Sequence, residues 1–162
     1  MNSRVPMQEI QSLFNPAFIA INIYALVDGF TKNGNVGLPM PLAYIAIPLC
    51  LHTSTRNIIP STATKRFHIW VQENQQILVG FGRRAASMRT RVSQGIIFAN
   101  SSSLITLTDD GTLSKLNKPK GFSKLLTTGD IEDCFSASKR IGLMLSRAPD
   151  PALIFYMLGV RP

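Results

Sequence analysis

The run closest to a ligand-binding signature is Gly80-Phe81-Gly82-Arg83-Arg84-Ala85, which has GxGxxA spacing after an apolar Ile77-Leu78-Val79. In a dinucleotide fold this spacing lets the backbone approach a pyrophosphate, and a ribose-binding carboxylate is needed about 20 residues on. No acidic residue occurs between Glu73 and Asp109, so the second half of that chemistry is missing. His52 and His68 lie beside apolar residues and are expected as hydrogen-bonded core or interface groups, not as bases or ligands. Asp109-Asp110 precede Gly111 between two alternating segments, the place of turn residues and not of a metal pair. Cys50 and Cys134 have no CxxC or Cys/His spacing and read as reduced core thiols. The sequence holds no GxxxxGK[ST], HExxH or GxSxG run. We therefore expect no catalytic, cofactor-binding or metal-binding residues and no small-molecule substrate.

Charge offers a different chemistry. The chain carries a net charge of +8, and its middle third holds Lys65, Arg66, Arg83, Arg84, Arg89 and Arg91 against Glu73 alone over residues 61–100. Such a band suits nucleic-acid phosphates or an acidic protein face. Only 16% of residues are charged, below the usual quarter, so part of the surface is expected to be covered by a partner protein.

The elements that must position these groups are mostly helical. Residues 1–14 read as an N-terminal arm, with Ile10, Leu13 and Phe14 ready to dock. Residues 15–162 read as one domain. Asn15-Pro16 is a helix start, Asn as cap and Pro in the first turn, and the helix that follows is apolar on nearly every side until about Lys32. A helix apolar all round must be covered all round. Val36 to Pro60 is the longest apolar run, punctuated by Pro39, Pro41 and Pro48. Pro48 is expected to kink this core helix or split it in two. It is no membrane span, which needs about 20 apolar residues. Thr53-Ser54-Thr55 is expected to cap a short turn, and Ser61 or Thr62 to cap a third helix burying Phe67, Trp70 and Val71. Two shorter helical segments follow, the second near Val92–Ala99. Alternating apolar residues around Asp109-Asp110-Gly111 predict a hairpin at about 104–116. Thr128–Ser146 and a last helix opened by Asp150-Pro151 and stopped by Gly159 complete the chain as docking helices.

Helices followed by a hairpin give the order of a winged-helix domain, mainly α with a small β-hairpin. Its recognition helix, about Val92–Ala99, offers Gln94 as its main polar side chain. That suits a protein-interaction scaffold better than a sequence-specific DNA reader. The N-terminus lacks the apolar segment of a signal peptide, so a cytoplasmic location is expected.

Several stretches carry a family likeness: N-P-A-F, L-P-M-P-L, I-P-L-C-L-H-T-S-T-R-N-I-I-P, W-V-Q-E-N, R-V-S-Q-G-I-I-F before the D-D-G turn, and the closing I-F-Y-M-L-G-V-R-P. Together they resemble the middle component of bacterial three-component ABC systems, the small subunit of Lamassu-type anti-phage and anti-plasmid defence. The resemblance implies a non-enzymatic subunit. It would bind an SMC-like ABC ATPase that senses foreign DNA and help restrain an effector, often a nuclease. His52, Thr55 and Arg56 match the family's central run, and Gly159, Val160 and Arg161 match its ending. With Phe155 and Leu158 on the terminal helix, these become expected partner-interface positions. Gly82 and Gly95 read as lineage drift within this likeness. The alternative reading is a stand-alone winged-helix DNA-binding regulator.

Overall fold

The computed structural model describes residues 15–121, 124, 129–148 and 150–162. The expected arm, residues 1–14, and the first residue of the expected helix at Thr128 lie outside the described residues. Among the described residues seven α-helices surround a small antiparallel sheet.

Helix α1, Pro16–Thr31, begins as the sequence predicts, with the Asn15 side chain accepting a hydrogen bond from Ala17 N at 2.9 Å. It is the hub of the fold, packed against both of the other long helices, and eleven of its 16 residues are buried. Its apolar surface is thus covered by this chain's own elements, as a helix apolar all round requires. Sequence shows that such a helix is covered, never by which chain.

After a loop, Leu38–Pro39 forms β1 and runs directly into α2, Met40–Leu51. Pro41 occupies its first turn and Pro48 lies inside it, yet the helix runs unbroken. Pro48 falls in the last turn, where its missing N–H removes one hydrogen bond, so the helix is not split as the sequence suggested. Short helix α3, Thr53–Arg56, takes His52 and not Thr53 as its cap residue. Helix α4 is Phe67–Glu73, later than the expected start at Ser61 or Thr62, because residues 61–65 form turns. Trp70 anchors it, donating from Nε1 to the Ile58 carbonyl at 3.0 Å, with Phe67 tilted against its ring. Arg140 holds the preceding loop by donating to the carbonyls of Ile59 and Pro60 at 3.3 and 2.8 Å.

A 3₁₀ turn, Gln75–Leu78, leads into α5, Phe81–Ser101. The two short segments expected here are one helix of 21 residues. The hairpin strands β2, Ile105–Leu107, and β3, Thr112–Lys115, pair Leu107 with Leu113. Strand β1 joins the free side of β3, pairing Leu38 with Leu113, so the sheet order is β1-β3-β2. Helix α6, Gly129–Leu145, and α7, Pro151–Met157, follow. The run α1-β1-α2, then α5 and a hairpin whose second strand takes β1 as its partner, is the winged-helix order, with α3, α4 and the 3₁₀ turn inserted before α5.

Three glycines set the helix spacing around α1. A Cβ at Gly29 would lie 2.0 Å from the Lys139 carbonyl oxygen, and one at Gly142 would lie 2.1 Å from that of Leu26. On the neighbouring face a Cβ at Gly95 would lie 2.4 Å from Ile19 Cγ2. Gly95, read from sequence as drift, is therefore a packing requirement. Where α1 meets α6, the buried Ser138 hydroxyl lies 2.9 Å from both Asn22 Oδ1 and the Cys134 carbonyl. Asp28 ties α1 to the wing and to α6, reaching Lys115 at 2.6 Å and Lys139 at 3.0 Å.

Candidate interaction groove

Residues Gly159, Val160, Arg161 and Pro162 of the terminal run build one wall of a cavity of about 670 Å³. Helix α7 starts on its predicted cap, Asp150 accepting from Ala152 N at 2.9 Å. It ends in a Schellman turn. Val160 N donates to the Phe155 carbonyl and Gly159 N to that of Tyr156, each at 3.1 Å. Gly159 supplies the left-handed conformation (φ +67°) that this turn requires. The chain then reverses so that residues 160–162 pass along α5, where a Cβ at Gly82 would meet Val160 Cγ1 at an ordinary 3.7 Å.

The opposite wall is the start of α2, with Met40, Pro41, Tyr44 and Ile45. The floor is α5, whose Gly82, Ala85, Ala86, Arg89 and Ser93 recur at intervals of three and four and so share one face. Tyr44 and Ser93 bridge the two helices through their hydroxyls at 2.8 Å, and Ser93 donates onward to the Arg89 carbonyl at 3.1 Å. Tyr44 is therefore the donor to Ser93, and the polar groups of this wall satisfy one another. Arg89 and Arg161 are exposed at the rim, and among the described residues no acidic one lines the cavity.

Of the expected interface positions, Val160 and Arg161 line the groove. Phe155 lines its base but is only 6% exposed, and Leu158, at 4%, belongs to the core. His52, Thr55 and Arg56 lie apart from the cavity and close the end of α2. Arg56 Nη1 donates to the carbonyls of Cys50 and Leu51, both at 3.3 Å. These are carbonyls that a helix end leaves without partners, and a cation there also suits the helix dipole. His52 Nδ1 shares a hydrogen bond with the buried Thr55 hydroxyl at 2.9 Å. Burial, and then the charges of Arg84 and Arg56, hold the His52 pKa below its ordinary value.

The basic band divides in the same way. Lys65 is paired with Glu73. Arg84 folds back onto the carbonyls of Val79 and Ile77 at 2.9 and 3.2 Å, and its guanidinium lies 5.9 Å from the Phe81 ring centroid. The GxGxxA run is thus a helix start after a 3₁₀ turn, its approach filled by its own arginine. Arg66 is exposed at the α4 cap, while Arg83, Arg89 and Arg91 are exposed along α5. Farther along α5, Ile97 and Phe98 are 65% and 42% exposed, and Asn100 Oδ1 accepts from Leu107 N at 3.3 Å, bringing the wing to this end.

The buried Nδ1 of His68 has no hydrogen-bond partner among the described residues, which corrects the expectation that this histidine is hydrogen-bonded there, whereas the thiols and the turn carboxylate are suppressed or occupied. Burial pushes the Cys50 thiol up to about 12 and that of Cys134 up to about 11. Asp110 is a turn residue, its carboxylate accepting from Thr112 N and Oγ1 at 3.3 and 3.0 Å. Among the described residues no group of three or more His, Cys, Asp or Glu is gathered for a metal. None of their helices is long and apolar enough to cross a membrane. Sequence reasoning missed Tyr44, Ser93, Ala85 and Ala86 as groove residues. The spacing of small residues on α5 was visible, but not what it would face.

The family model described as ABC-three component (ABC-3C) system Middle Component 3 matches residues 3–162. No curated protein and no solved structure matches the chain.

Proposed function

Because the chain belongs to the Middle Component 3 family of ABC-three component systems, we propose that it is the non-catalytic bridging subunit of such a system. The single observation that carries the proposal is the family match, which spans all but the first two residues. In this reading the subunit links an SMC-like ABC ATPase to an effector, nuclease-type as in Lamassu-type defence, and helps hold that effector inactive until DNA is sensed. The site chemistry supports it: both thiols are pushed far above neutrality, His52 is tied to Thr55, and Asp28 is paired with two lysines. What α5 offers outward is a rim of arginines and, at its far end, bare Ile97 and Phe98. Apolar side chains on a winged helix's third helix favour a protein face over base reading.

The test is to add the purified chain to its ATPase and effector components. ATP turnover or effector activity is expected to change, while the chain alone turns over neither ATP nor nucleic acid. Turnover by the chain alone refutes the proposal. A second reading, a stand-alone DNA-binding regulator, rests on Arg83, Arg89 and Arg91 along the exposed part of α5. It predicts site-specific duplex binding by the isolated chain.

A further inference from the structure

The bridging reading leaves open what fills the groove between α2, α5 and residues 159–162. Its volume, about 670 Å³, falls within the range of roughly 300–1,000 Å³ that takes a sizeable ligand or several side chains. Met40, Pro41 and Val160, each exposed or half-buried, give it an accessible apolar lining, and Gly82 and Ala86 keep the α5 side shallow enough for another backbone to come close. The hydroxyls of Tyr44 and Ser93 satisfy each other within the wall and ask for no polar ligand. Among the described residues the charge at the rim is of one sign: Arg89 and Arg161 are exposed there, none of the lining residues is acidic, and α5 has no acidic residue in its 21 positions.

An occupant that complements this surface must bring apolar side chains for the lining and carboxylates for the rim. A nucleic-acid backbone would meet the arginines but leave the accessible apolar surface of Met40, Pro41 and Val160 uncovered. We propose that the groove is the docking site for a short acidic segment of another component of the same system, with leucine- or phenylalanine-type anchors seated between α2 and α5 and Asp or Glu on Arg89 and Arg161. This deepens the bridging reading and rests on it.

The experiment uses the full chain co-expressed with the ATPase and effector components of its own system, with the photo-crosslinking residue p-benzoylphenylalanine at position 86. Mass spectrometry of the crosslinked peptide is expected to return one segment of another component, carrying apolar residues with Asp or Glu within a turn of them. A crosslink to residues 1–14 of this chain, to a second copy, to nucleic acid, or to a segment without acids overturns the proposal, as does no crosslink in an assembled complex. In parallel, Arg89→Glu with Arg161→Glu is expected to weaken the complex at least tenfold. Arg89→Lys with Arg161→Lys is expected to retain most of the affinity, and Lys118→Glu, exposed and outside both the groove and the basic band, to leave it unchanged. Both rim arginines are exposed, and thermal melting checks that the reversed variant is folded. Failure of the unaltered components to assemble removes the bridging reading itself. Assembly indifferent to the charge reversal removes only the groove assignment.

Discussion

Replacing Gly142 by alanine tests the helix packing through the sign of its effect. In an exposed helix interior, Gly→Ala stabilises by about 1 kcal/mol, because alanine restricts the unfolded chain and suits the helix. At Gly142 the new Cβ would lie 2.1 Å from the Leu26 carbonyl oxygen and 2.9 Å from Phe30 N. Ordinary contact begins near 3.4 Å, so α1 and α6 would have to separate by more than an ångström. The obstructing atoms are backbone, and no rotamer change relieves them. Overpacking of a core costs about 1–3 kcal/mol, and immobile backbone places this site at the upper end. Net of the helix preference, we expect a loss of about 2 kcal/mol. For a chain of this size that lowers Tm by roughly 4–8 °C. Gly129→Ala, with nothing within 4 Å of its Cβ, is the control and should be neutral or slightly stabilising. Thermal and urea unfolding of the two variants give the answer. A Gly142→Ala protein as stable as the parent would mean that the helices are not in backbone contact there, and the hub role of α1 would fall with it.

Asp28→Asn should cost no more than about 1 kcal/mol at neutral pH, since both lysine partners are about 40% exposed and such pairs are weak. Burial opposes ionisation of Asp28, but the hydrogen bonds and charges of Lys115 and Lys139 outweigh it and depress its pKa. Its stabilisation is therefore full above the unfolded value near 3.9 and is lost as pH falls through the folded one; a stability gap that does not shrink as pH falls below the unfolded value would contradict this. Arg56→Ala should lose about 1.5–3 kcal/mol through the exposed carbonyls at the end of α2, seen as a lowered urea midpoint; an unchanged midpoint would deny it the capping role. The two thiols should resist a disulfide reagent at pH 8 in the folded protein and both react after denaturation. Duplex binding by the isolated chain should be weak, indifferent to sequence and steeply salt-dependent, and site-specific binding would instead favour the regulator reading.

What the sequence made legible was local. Asn15-Pro16, Asp150-Pro151 and Gly159 announce helix ends because capping chemistry involves residues only a few positions apart. The hairpin was readable for the same reason: alternation, then Asp-Asp-Gly. Strand β1 was not readable, being two residues long and half proline. Pro39 is tolerated because β1 is an edge strand, and its pairing with Thr112 joins segments far apart in sequence. Helix α5 reads in sequence as two shorter segments on either side of Thr90, and its glycines carry no local sign of their role. Gly95 gives way to Ile19, a contact that no local pattern records. The groove needs residues near 40–45, 82–93 and 155–162 together. Its last piece was flagged through the family resemblance and Arg89 through the basic band, but nothing in the sequence joined them to residues 40–45. The central His-Thr-Arg run was flagged through the resemblance too, and the fold shows its local structural part: Arg56 donates to the carbonyls at the end of α2.

The most direct test of a bridging subunit is to assemble the system with and without it. The ATPase and effector components are purified and run together by size-exclusion chromatography with light scattering, first alone and then with this chain added. The account predicts separate peaks for the first mixture and one complex containing all three for the second. If ATPase and effector associate equally well without the chain, or if the chain elutes apart from both, the bridging role is contradicted.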